Sequence, residues 1–167
     1  MQYPYIVPIE QARVGDIVLC DRGGFLAAAL SFLIQKVKEP RWDRKKWHTM
    51  PVVGPGLVFD ARWPHLKIVG IDTFDLSKLT VWRIMDRPDP YRVYKFLQTY
   101  TGCPYDALVY LWTAIRVFWR SFPRILNRAF SCWEITFCFI DEMGADFQSD
   151  FEYPFITDFL KWVGALK

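Results

Sequence analysis

The sequence predicts an α+β domain, a small antiparallel sheet packed against helices. Three observations predict it. The segment order is a short apolar strand, a helix, several strands, then helices. Two apolar runs, 48–53 and 57–61, flank Gly54-Pro55-Gly56 and read as a β-hairpin. Ser131-Cys132-Trp133-Glu134 opens an apolar helical pattern that continues through Phe137, Ile140 and Met143.

The elements follow in chain order. Residues 1–14 read as an extended lead-in, because Pro4 and Pro8 break any helix. Residues 16–20, Asp-Ile-Val-Leu-Cys, form a short buried strand after Gly15. Asp21-Arg22-Gly23-Gly24 is a turn, and 25–38 is a helix, apolar first, basic last and ended by Pro40. Residues 42–47 make a charged loop flanked by Trp42 and Trp47. After the hairpin, 67–71 and 79–85 are two more strands, with a turn at 75–78. Pro88-Asp89-Pro90 starts a helix that runs to about Tyr100 and is ended by Gly102-Cys103-Pro104. A strongly aromatic helix spans 105–119, Pro123 interrupts, and the Cys132 helix follows. Tyr153-Pro154 precedes a last amphipathic helix, 155–163. No linker divides the chain, so 1–167 is read as one domain.

Composition narrows the function classes. A hydrophobic share of 52% excludes a disordered chain. A net charge of +3 is too small to point to nucleic acid, and none is expected as a partner. Four cysteines without a CxxC pair, and two histidines, do not make a structural zinc site. No metal or other cofactor is expected. The start MQYPYIVPIE has neither a basic region nor an apolar core of a signal peptide. The expectation is therefore a cytoplasmic protein with free thiols. The longest apolar stretches, 25–34 and 107–115, are too short to span a bilayer.

The chemistry centres on Cys132. Ser131 fits the N-cap position and Glu134 completes a capping box, which puts the thiol in the first helical turn. The positive end of the helix dipole favours a thiolate there, and free backbone N–H groups can hold an oxyanion. A buried core cysteine at a helix start fits the same residues. A cysteine nucleophile needs a base, and the base an orienting group. His48 opens a strand, whereas His65 sits in a surface turn, Trp63-Pro64-His65. Across the hairpin, position 48 faces roughly position 62 or its diagonal neighbour Asp60, whose carboxylate could accept the His48 N–H. An exposed strand-end acid fits Asp60 equally well on spacing alone.

These residues, in this order, resemble the permuted branch of the NlpC/P60 papain-like cysteine hydrolases, which includes YiiX-like proteins and the lecithin:retinol acyltransferase group. Val14-Gly15-Asp16-Ile17-Val18 resembles the opening strand, and His48 begins the strand of the family histidine. Leu57-Val58-Phe59-Asp60-Ala61 resembles the strand carrying the third polar residue. Gly102-Cys103-Pro104-Tyr105-Asp106 resembles the motif upstream of the nucleophile, and Ser131-Cys132-Trp133-Glu134-Ile135 the nucleophile motif itself. Pro154 before an apolar helix resembles the closing segment. Two positions depart from the pattern. Thr49-Met50-Pro51 follows the histidine, and Pro51 cannot donate to a ladder, so its strand should lie at an edge or carry a bulge. Trp133 stands where the family has a small residue, which would narrow the cleft.

The resemblance implies a circularly permuted papain-like fold, histidine before cysteine, and acyl transfer by Cys132, His48 and Asp60 through a thioester. Tyr105 and Trp133 would border the oxyanion and substrate; Tyr105 also fits a core aromatic at a helix start. The substrate would be a peptide, a peptidoglycan fragment or a lipid, cleaved by hydrolysis or passed to another acceptor. An inactive binding or inhibitory module on the same fold is the alternative. The aromatics and arginines of 105–122 fit either peripheral membrane contact or a helix packed on the sheet with snorkelling arginines.

Overall fold

The computed structural model describes residues 4–21, 48–106, 108, 115, 129–145, 159 and 162. The expected helix at 25–38, the loop at 42–47, most of the expected helices at 105–119 and 155–163, and Pro154 lie outside the described residues. Among the described residues, six strands form one antiparallel sheet: β1 (Tyr5–Val7), β2 (Ile17–Cys20), β3 (His48–Gly54), β4 (Leu57–Ala61), β5 (Leu66–Gly70) and β6 (Leu79–Arg83). Their spatial order is β1-β6-β2-β3-β4-β5. Two helices are described, α1 (Pro90–Tyr100) and α2 (Cys132–Glu142). The class is α+β, as the sequence predicts. Among the described residues, no helix is long and apolar enough to cross a membrane.

Strand β2 is buried on both faces of the sheet, which explains why it reads as an unbroken apolar run. Side chains alternate along each strand. Ile17 and Leu19 of β2 join Phe59, Ala61 and Trp82 in the core under the helices. Val18 and Cys20 point the other way, to Val7, Met50, Val58, Phe74 and Val81. On the helical side, Phe96 of α1 meets Phe59 edge-on at 5.1 Å and Phe139 of α2 at 5.0 Å. Such edge-to-face contacts fix helix against sheet beyond simple area burial.

One expectation is refined and another is met by one of its two options. The extended lead-in contains a true edge strand, β1, whose Tyr5 pairs with Arg83 of β6. Prolines at both of its ends are compatible with an edge position. The strand holding Pro51 is not at an edge, since β3 lies between β2 and β4. It accommodates the proline through the other expected device, a register shift between Val52 and Gly54 on the β4 side. Val52 turns its N–H and C=O toward Asp16 and Gly15 of the β2 side. By alternation the Pro51 nitrogen faces the β4 side, next to the register shift, and the β2 side of the ladder keeps its bonds through Val52.

The turn into β2 is held by a buried ion pair. Gly15 takes a φ of +96°, which favours glycine, and a Cβ there would lie 3.1 Å from Pro88. Asp16, only 1% exposed, accepts from Arg83 Nε at 3.1 Å and Nη2 at 3.0 Å. It also accepts from the Arg13 N–H at 3.0 Å. Asp16→Ala is expected to destabilise by about 3–5 kcal/mol, because a buried guanidinium loses its counter-charge. Urea unfolding checks this, and an unmoved midpoint would mean that Arg83 reaches solvent when Asp16 is gone.

Candidate active site

The site grows from two element starts that meet. Cys132 is the first residue of α2, and Ser131 caps the helix in a full capping box. The Ser131 N–H donates to Glu134 Oε2 at 2.8 Å, and the Glu134 N–H donates to Ser131 Oγ at 3.3 Å. These bonds fix the chain entering the helix and hence the direction of the thiol. His48 is the first residue of β3, along which α2 packs. One residue on, buried Thr49 is tied to Thr136 of α2 by a hydroxyl–hydroxyl bond of 3.3 Å. That tie brings the start of the strand beside the start of the helix, close enough for Cys132 to act on the His48 imidazole.

Asp60 completes the group from across the hairpin. Its Oδ1 lies 2.6 Å from His48 Nε2, and the residue is 0% exposed. With Nε2 engaged by the carboxylate, Nδ1 is the ring nitrogen left for the thiol. The imidazole thus sits between a sulfur and an acid, the geometry a positioned base requires. Burial alone would push the His48 pKa down. Negative charge on Cys132 and the bond to Asp60 outweigh it, and the value is raised to about 9. Burial pushes the Asp60 carboxyl upward, but the His48 hydrogen bond and charge, followed by Arg62, hold it below the ordinary carboxylate range. The arrangement favours an imidazolium beside an ionised Asp60 carboxylate.

The chain matches no protein-family model and no curated protein.

The remaining expected residues divide. Tyr105 does not begin a helix. It is extended, in a parallel bridge with Phe130, two residues before Cys132. The Tyr105 N–H donates to Pro64 O, and the Phe130 N–H to Pro104 O. Gly102, at φ +82°, turns the chain out of α1 into this segment. Tyr105 is therefore brought beside the lead-in to the thiol. Trp133 is 1% exposed and packed in the core beneath the sheet, with its indole ring 6.4 Å from that of Phe137. Its indole N–H has no hydrogen-bond partner among the described residues. His65 is exposed and bridges to Pro104, as its turn position predicts.

Sequence reasoning missed Arg62. Its Nε–H donates to Asp60 Oδ2 at 2.5 Å, so the carboxylate joins an imidazole and a guanidinium. The i, i+2 spacing from Asp60 was the available signal, since such residues share one side of an extended chain.

Proposed function

We propose that the protein is a thiol hydrolase or acyltransferase on a permuted papain-like fold. It acts on an amide or ester through a thioester on Cys132. The observation that supports this most is His48 held between the Cys132 sulfur and the buried Asp60 carboxylate. The order His48, Asp60, Cys132 along the chain fits the permuted arrangement.

His48 takes the Cys132 proton, or the pair rests as thiolate and imidazolium. The sulfur attacks the substrate carbonyl carbon, and the C=O electron pair moves onto oxygen. That oxyanion is assigned to the backbone N–H of Cys132, in the first turn of α2. When the tetrahedral species collapses, the C–N or C–O bond breaks and the leaving group takes the His48 proton. Neutral His48 then deprotonates water or another acceptor, which attacks the thioester and frees the thiolate. A substrate of the peptide, peptidoglycan-fragment or lipid class fits this chemistry. A non-enzymatic binding module is the second reading, favoured by one observation: Cys132 is only 1% exposed.

Competitive alkylation of the four thiols tests the reading. Exposure alone predicts that the half-buried Cys103 and Cys138 react first. Burial raises the Cys138 pKa, which slows it. An activated Cys132 should outrun all three others with a small alkylating agent at about pH 6, where an ordinary thiol of pKa about 8.5 is protonated. Labelling that follows exposure instead would support the binding module.

A further inference from the structure

We propose that Arg62 is a positioning residue that pins the Asp60 carboxylate by one oxygen, so that the other stays on His48 Nε2. The inference rests on the thiol-enzyme reading above. The two carboxylate oxygens have separate partners: Oδ1 meets His48 at 2.6 Å and Oδ2 meets Arg62 Nε at 2.5 Å. Asp60 is fully buried, so in the intact protein its second oxygen is satisfied by the guanidinium rather than by solvent. The Arg62 side chain is 45% exposed, so it reaches the acid from the surface. Its guanidinium lies over the ring of buried Phe74, 5.1 Å from the centroid, a seat that limits where it can swing.

Four groups bear on the titration of this relay. His48 faces Asp60 from β3, Arg62 from the residue following β4, and Cys132 acts through His48 from α2. Lys67 of β5 stands opposite Asp60 in the ladder and is exposed. Two effects of Arg62 oppose each other. Its charge partly screens the attraction between Asp60 and the imidazolium. Its hydrogen bond keeps the carboxylate ionised and fixed. The second dominates because the acid is buried and the guanidinium is half in solvent, where its long-range charge is weakened.

The test is the pH profile of Cys132 alkylation in the full-length protein. In Arg62→Ala, the acid limb should move up by about one pH unit, a roughly ten-fold loss of rate on that limb. Arg62→Lys, which keeps the charge without the planar fork, should fall between. Free guanidinium added to Arg62→Ala should restore rate beyond an equal concentration of sodium chloride, and should not do so in Asp60→Asn/Arg62→Ala. An unchanged profile in Arg62→Ala, with His48→Ala still slow, overturns the role of Arg62 alone. So does a downward shift, which would make Arg62 only a screen. A loss that tracks melting temperature and is not restored by guanidinium also overturns it. A wild type whose Cys132 is no faster than Cys103 overturns this inference together with the reading beneath it.

Discussion

His48→Ala is expected to slow Cys132 alkylation, and any acyl transfer, by roughly 10²–10⁴-fold near neutral pH, the range for a lost general base. Three contributions vanish together. The thiol loses the base that takes its proton. The sulfur loses the imidazolium that stabilises its negative charge. Asp60 loses the partner through which it acts. The gap should narrow as pH rises through about 9, where wild-type His48 itself gives up its proton and the flanking positive charge disappears. His48→Ala also leaves a buried carboxylate with Arg62 as its remaining partner among the described residues. His48→Gln, which can still donate to Asp60, separates folding from reactivity. Both variants should lose the fast thiol, and His48→Gln should keep more of the melting temperature. His65→Ala should leave the rate nearly unchanged, because His65 is an exposed bridge residue beside Pro104. A slow thiol in His65→Ala with a fast one in His48→Ala would sink the assignment.

The parts of this site that were legible in the sequence obey local rules. The capping box at Ser131 and Glu134 needs four consecutive residues and no tertiary context, and it forms as written. The hairpin about Gly54–Gly56 follows from turn chemistry, with Gly56 at φ +65°. The meeting of His48 and Asp60 was legible only to within one or two positions. The deciding feature is the register shift between Val52 and Gly54, and no residue type announces where a bulge falls. Strand β1 was hidden because three residues between two prolines carry too little pattern, and its partner β6 lies far along the chain, with Tyr5 opposite Arg83. Tyr105 looked helical from the aromatics that follow it, yet pairing with Phe130 draws it into an extended path. Asp60 read equally well as a surface acid. Its burial goes with a place in β4, between the β3 and β5 strands, and with the Arg62 guanidinium on its outer oxygen, which long-range packing assembles.

That burial changes what Asp60→Asn should do. A strand-end carboxylate at the surface could be replaced with little loss of stability, but this one is 0% exposed and bonded on both oxygens. The variant should lose about 1–3 kcal/mol, the range for a buried charged hydrogen bond made poorer. The loss should depend on pH, with a sign fixed by the two shifts. Asp60 is depressed in the fold, so its contribution is present above the unfolded carboxyl value of about 4 and fades as pH falls through its lower folded value. His48 is raised, so its contribution is complete below about 6.5 and fades as pH rises through about 9. The stability gap between wild type and Asp60→Asn should therefore be widest between about pH 4 and 6.5, and smaller at pH 10. Reactivity should change in step. Asparagine keeps the size and one acceptor but cannot stabilise the imidazolium by charge, so the thiolate–imidazolium pair weakens and low-pH alkylation of Cys132 shrinks with its midpoint moved upward. Urea titrations across that range and the alkylation profile are independent readouts of one carboxylate. If stability shows the window and alkylation does not move, Asp60 only buttresses the hairpin and another group orients His48.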